Sequence, residues 1–80
     1  VELKEKYTKS LLKTVSAFSN FYDGYIYVGI DDQGVVVGLP KIHEEKMVIE
    51  NSINSTITPK PFFDMNIIEF GGKTILEIKV

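Results

Sequence analysis

The feature that most constrains the fold of this chain is one short apolar run near its middle. Residues 25–30 have the sequence Tyr-Ile-Tyr-Val-Gly-Ile, and acidic and glycine residues typical of turns stand on both sides. A bounded run of this length and composition predicts a central β-strand. Tyr25 and Tyr27 fall on one face of that strand, and Ile26 and Val28 fall on the other. We therefore expect a sheet whose aliphatic face is covered by helices.

The segments around this run predict the element order β-α-β-β-α-β-β. We expect a strand at residues 1–5, a helix from Thr8 or Ser10 to about Asn20, the central strand, a hairpin arm at 35–39, a helix at 42–57, and strands at 62–70 and 73–80. Gly71 and Gly72 supply a two-residue turn between the last two strands. The first strand and helix lead to a parallel or mixed pairing. This order predicts a two-layer α+β domain in which two helices pack on a mixed sheet.

The size and composition of the chain limit how it is stabilised. Its 80 residues include no cysteine, so it has neither disulfides nor a Cys-based zinc or redox site. A chain this short forms one domain, which depends on apolar packing or on partners for stability. Because the pattern starts and stops within strands, we expect residues 1–80 to be a single domain cut from a longer multidomain protein. No membrane-spanning run or signal peptide is recognisable, so a cytoplasmic protein is expected.

The charges of the chain are unevenly distributed, although its formal net charge is only −2. The first thirteen residues hold two glutamates and four lysines, so they carry +2 and the remainder carries −4. These lysines are Lys4, Lys6, Lys9 and Lys13, of which the last three form a stripe opposite the buried side of the first helix. The stripe is either a solvated surface or a contact surface for phosphates. Without arginine, such contacts would follow the nucleic-acid backbone with little sequence preference.

Several short motifs occur in order along the chain: residues 2–4 (ELK), 15–20 (VSAFSN), 24–32 (GYIYVGIDD) and 37–39 (VGL). This series resembles the Schlafen/Alba-like family of predicted DNA-binding domains, whose pattern runs E-F-K, S-A-F-A-N-T-x-G-G, G-x-I-x-x-G-V-D-D and V-x-G. Residues 49–61 and 73–80 resemble the family's second helix and a later strand. The resemblance implies a DNA-binding module of a bacterial transcriptional regulator or a RecG-related helicase. It implies no cofactor in this domain, and ATP only in other domains.

The Schlafen branch of this resemblance implies a second function, a metal-dependent RNA nuclease that uses three acids. Glu2 looks like the second of these acids and Asp32 like the third, whereas the first would precede Val1. Clustered carboxylates could hold a divalent ion that activates water, and Lys4 could neutralise phosphate charge. The alternative is that Asp32 belongs to an ordinary hairpin turn and that Glu2 and Lys4 form a surface pair. Two acids do not define a metal site, so none is predicted.

Two further positions need an interpretation, which is structural or functional for Asn20 and structural for Gly29. Asn20 lies where the first helix gives way to the central strand, a turn that asparagine and glycine favour. Alternatively, Asn20 contacts a phosphate, although Asp23 stands where the family has a glycine and would repel such an anion. Gly29, inside the central strand, predicts a bulge or an aromatic ring such as that of Phe18 packed over it.

The C-terminal strands leave a third function open, a structural one. An open sheet edge in residues 62–80 could pair with another copy of the chain and form a homodimer. The functions left open are thus binding of DNA, in preference to RNA, nuclease activity, and dimerisation. Enzymatic activity is not expected of this domain alone.

Overall fold

The fold consists of two helices packed on a four-stranded mixed sheet, in a computed structural model that describes residues 1–21 and 23–80. The elements are β1 (Glu2–Lys4), α1 (Ser10–Phe21), β2 (Tyr25–Val28), α2 (Ile42–Thr56), β3 (Asp64–Phe70) and β4 (Lys73–Lys79). The strand order is β1-β2-β4-β3, with β1 parallel to β2 and β4 antiparallel to both of its neighbours. The predicted α+β class and the packing of two helices on a mixed sheet are confirmed.

The hydrophobic core lies between the helices and one face of the sheet. Each helix contributes one stripe at helical spacing, and β2 and β4 contribute alternate residues. The largest fully buried side chains are Leu11, Val15, Ile26, Val28, Ile49, Ile53, Leu76 and Ile78. Met47 and Val48 of α2 are exposed. Within the described ranges, neither helix is long and apolar enough to cross a membrane.

The hairpin arm expected after β2 is present as a single antiparallel bridge between Ile30 and Val36. The turn itself forms as expected, because the carboxylate of Asp31 accepts hydrogen bonds from two backbone amides, each at 2.9 Å. Beyond this bridge, the amides of Val37 and Gly38 donate to the carbonyl of Gly29 at 2.8 and 2.9 Å, and Gly38 has φ +82°. The N–H of Leu39 then donates to a β4 carbonyl at 2.7 Å. The segment therefore passes from β2 to β4 instead of extending the ladder.

Two glycines allow close packing around β2. A Cβ added to Gly24 would lie 2.5 Å from two ring carbons of Phe18, so this ring covers the glycine just before β2. Gly29 follows β2 with φ +109°, and a Cβ there would lie 3.0 Å from the Ile75 side chain. The expectation of an aromatic ring over Gly29 is therefore wrong, because an aliphatic side chain from β4 takes that position.

Candidate nucleic-acid interface

The parallel pairing of β1 with β2 brings two candidate segments to the same edge of the sheet. Lys4 stands opposite Val28, and its carbonyl accepts hydrogen bonds from the amides of Gly29 at 2.7 Å and Ile30 at 3.2 Å. Because both strands run in the same direction, their C-terminal ends lie side by side, and the chain leaves both strands there. The segment that leads to α1 therefore lies beside the turn that contains Asp32.

An open hollow of about 440 Å³ lies at this edge, and we call it the β1 hollow. It contains both acids that the Schlafen resemblance selected, together with two of the four lysines. Its lining residues are Glu2, Leu3, Lys4, Glu5, Lys6, Thr8, Ser10 and Asp32. The register places Glu2 and Lys4 on the same side of the sheet as Ile26 and Val28, which is the side covered by the helices. The fold thus brings Glu2, Lys4 and Asp32 around one depression.

One lysine of the β1 hollow is held at the beginning of α1. The Nζ of Lys4 donates to Oγ of Ser10 at 3.0 Å, and that Oγ lies 2.7 Å from Oγ1 of Thr8. The sequence pattern marked Thr8 and Ser10 only as alternative starts of the first helix. The signal that could have added them to the site was the predicted parallel pairing, since it brings the start of α1 next to the end of β2.

The other three lysines of the sequence prediction surround the start of α1. Lys6 and Lys9 precede the helix and Lys13 lies in it, and all three are exposed. We call these three residues the α1 lysine cluster. The first turn of α1 contains no acidic residue, so the partial positive charge of the helix N-terminus is not offset there. Lys13 also lines a second hollow, between α1 and the end of α2.

Asn20, the remaining candidate for phosphate contact, lies at the opposite end of α1. It is exposed, and its Nδ2 donates to Oγ of Ser16 at 3.4 Å. At about 1.5 Å per residue, Asn20 lies about 15 Å along the helix from Ser10. The structure therefore does not bring Asn20 together with the α1 lysine cluster.

The carboxylates of the β1 hollow provide few ligands for a metal ion. In residues 1–21 and 23–80, no group of three or more His, Cys, Asp or Glu side chains is arranged to hold a metal. A hard divalent cation takes six or more oxygen ligands, of which the protein supplies several in a dedicated site. Glu5 also lines the hollow but forms no such group with Glu2 and Asp32, so these two acids fit such an ion poorly.

The sheet face opposite the helices carries a second set of polar and aromatic groups. The rings of Tyr25 and Tyr27 are stacked, with centroids 6.3 Å apart and planes at 10°. The hydroxyl of Tyr27 donates to Oε2 of Glu77 at 3.0 Å, and Nδ2 of Asn66 donates to Oε1 of the same carboxylate at 3.4 Å. The hydrogen bond to Glu77, together with burial and the negative charge of this carboxylate, raises the pKa of Tyr27 above its ordinary value of 10.0. These contacts link β2, β4 and β3.

Two comparisons with known proteins agree with the motifs. The model of the family described as Schlafen, AlbA_2 matches residues 1–80. Among solved structures, the chain is similar to the solution NMR structure of the N-terminal domain of a Nitrosomonas europaea protein, described as a predicted ATP-dependent DNA helicase, RecG-related. The TM-score is 0.82 at 30% identity, over 96% of this chain and 59% of the other. The chain thus spans about 59% of the length of the solved domain that it matches.

Proposed function

The chain belongs to the Schlafen AlbA_2 family, and on this premise we propose that it is a DNA-binding module that contacts phosphates without sequence preference. The parent protein in this proposal is a cytoplasmic transcriptional regulator or RecG-related helicase. Support for the helicase context comes from the similar solved domain, whose protein is described as a predicted ATP-dependent DNA helicase, RecG-related. Asn20 adds a separate phosphate contact in this proposal, outside the α1 lysine cluster.

The observation that carries the proposal is the exposure of Lys6, Lys9 and Lys13 around the start of α1. Ammonium groups beside a helix N-terminus attract phosphate, because the charges of the lysines and the helix dipole have the same sign. Lysine binds phosphate as a point charge and lacks the fork that arginine uses to read guanine. The chain contains no arginine, which favours backbone contacts over base recognition.

The overall charge distribution supports the same orientation on DNA. The first thirteen residues carry +2, while the rest of the chain carries −4. A polyanion attracts the first part and repels the second, so the chain approaches DNA with β1 and the start of α1 foremost. The acids of the β1 hollow lie beside Lys4 and Lys6. We therefore expect Lys9 and Lys13, which lie outside that hollow, to contribute most of the affinity.

The proposal predicts that Lys9→Gln combined with Lys13→Gln weakens DNA binding. Each lost phosphate contact removes about one unit from the slope of log affinity against log salt, so the double variant should lose about two units. Glutamine has nearly the helix propensity of lysine, so α1 should persist. Fluorescence anisotropy with a labelled DNA duplex, measured over a salt series, tests this expectation.

A matched control replaces two exposed lysines outside the first thirteen residues. Lys41→Gln with Lys79→Gln makes the same change in net charge, and it should alter the salt slope less. Equal losses in the two double variants would show that only net charge matters. Absence of DNA binding at low salt, or unchanged binding by the Lys9 and Lys13 variant, would contradict the proposed function.

A metal-dependent nuclease is the second candidate, because Glu2 and Asp32 line the β1 hollow together with Lys4. Because the first of the three acids would precede Val1, the test uses the protein extended before Val1, which under this candidate cleaves structured RNA in the presence of manganese. Asp32→Asn should abolish cleavage, while Asp23→Asn, a change at an exposed aspartate outside the hollow, should preserve it. Gel electrophoresis of the RNA products is the measurement. No cleavage by the extended protein, or equal cleavage by both variants, removes the nuclease candidate and leaves the DNA-binding proposal untouched.

A further inference from the structure

The sheet has one long unpaired edge, formed by β3. The order β1-β2-β4-β3 places β3 at the outside, and no backbone hydrogen bond in the described residues reaches its outer side. β3 has seven residues without proline, and it pairs with β4 in continuous register from Asp64 to Phe70. Proteins usually protect such edges with proline, lysine, bulges or covering segments. β3 contains none of the first three, and no described backbone group bonds to its outer side.

The turn at the end of β3 determines which backbone amides of β3 point away from β4. Gly71 and Gly72 form a two-residue turn with φ of +58° and +78°, values typical of a type I′ hairpin. In such a hairpin the flanking residues, here Phe70 and Lys73, exchange hydrogen bonds. Because hydrogen bonding alternates along an antiparallel strand, the N–H and C=O groups of Met65, Ile67 and Glu69 point away from β4. These three residues form the free hydrogen-bonding edge.

We propose that this edge pairs with β3 of a second copy of the chain, antiparallel and about a two-fold axis at Ile67. Ile67 is the middle of the three outward-pointing residues, so this axis uses all of them. It sets Met65 opposite Glu69 of the second copy, and Asp64 opposite Phe70. Neither carboxylate of the strand then faces another carboxylate. The two four-stranded sheets become one sheet of eight strands.

Charge and exposed apolar surface both favour this register. A shift by one residue would set Asp64 opposite Glu69 of the second copy, which opposes two negative charges and exchanges the faces of the sheet. In the proposed register, Ile67 meets its own counterpart. Ile67 is 37% exposed and Phe70 is 64% exposed, so both have apolar surface left to bury. A self-complementary strand with these properties fits a second copy of the chain as its partner.

The first test is the mass of the chain in solution over a range of concentrations, by sedimentation equilibrium. We expect a monomer–dimer equilibrium. Ile67→Pro removes an outward N–H while leaving the ladder to β4 intact, and Ile67→Lys places a charge on the axis. Each should raise the dimer dissociation constant by about tenfold or more. Met47→Lys replaces a more exposed apolar side chain, on α2, and should leave this constant unchanged. Circular dichroism checks the fold of every variant.

A cysteine cross-link tests the register directly, since the chain has no cysteine of its own. In the proposed pair, the two Ile67 Cα atoms lie about 5.5 Å apart, within disulfide range. Ile67→Cys should therefore form a disulfide-linked dimer when oxidised glutathione accepts the two electrons, and Met47→Cys should not. A monomer at all concentrations, a dimer that survives both Ile67→Pro and Ile67→Lys, or equal cross-linking of the two cysteine variants would overturn the proposal.

Discussion

At the scale of single residues, Gly24 is the position where one added methyl group has the clearest consequence. A Cβ there would lie 2.5 Å from the Phe18 ring, which is 8% exposed and packed in the core. We expect Gly24→Ala to reduce the free energy of unfolding by about 1–3 kcal/mol, because the ring or the backbone before β2 must shift. Urea denaturation measures this loss.

Gly71 offers the control for that substitution. Its φ is +58°, and a Cβ there would meet nothing within 4 Å. Asparagine tolerates this backbone conformation, so Gly71→Asn should change the free energy of unfolding by less than about 0.5 kcal/mol. If Gly24→Ala also stays within this limit, the close packing of Phe18 over Gly24 does not restrict the position.

At the scale of secondary-structure elements, the hydrogen bond between Tyr27 and Glu77 joins β2 to β4. It also makes the free energy of unfolding depend on pH in the alkaline range. Because Tyr27 has a pKa above the 10.0 expected in the unfolded chain, its contribution is fully present below pH 10.0. It is lost as the pH rises through the raised pKa of the folded state. Above pH 10.0, the free energy of unfolding should therefore fall more steeply with rising pH in the unmodified protein than in the Tyr27→Phe variant. Urea denaturation at several pH values measures this difference.

A spectroscopic titration separates this effect from the other tyrosines. The difference in phenolate absorbance between unmodified protein and Tyr27→Phe gives the titration of Tyr27 alone. In a Glu77→Gln background the same difference should move towards pH 10.0, because the amide oxygen still accepts the hydrogen bond but carries no charge. Identical titrations in both backgrounds would contradict the role of Glu77.

The sequence predicts a helix or strand best where the residues that form its local pattern are also the residues that pack in the core. The spacing of Leu11, Leu12, Val15 and Phe18 predicted α1; Leu12 is half-buried and the other three side chains are buried. The arm after β2 also has a strand-like sequence, yet it forms a single bridge. Its length is set by the N–H of Leu39, which bonds to β4 thirty-five residues later in the chain. A hydrogen bond to a distant strand leaves no periodicity in the sequence.

At the scale of the whole molecule, the candidate site was only partly predictable. The family motifs selected Glu2 and Asp32, and parallel pairing explains why both line the β1 hollow. Asn20 was selected by the same motifs but lies at the far end of α1. The roles of Thr8 and Ser10 in the hollow depend on how β1, β2 and α1 meet in space. Residue spacing within one element could not reveal that meeting.

The brevity of β1 has a consequence for the order in which the molecule assembles. β1 pairs with β2 over three residues and across 24 positions of sequence, whereas β3 and β4 form a local hairpin of seven pairs. Closing a long loop for few hydrogen bonds is unfavourable, so we expect β1 to dock late and to detach first. The β1 hollow exists only while β1 is docked. Any ligand that binds there is therefore linked to the last step of folding, and it stabilises the weakest strand of the sheet.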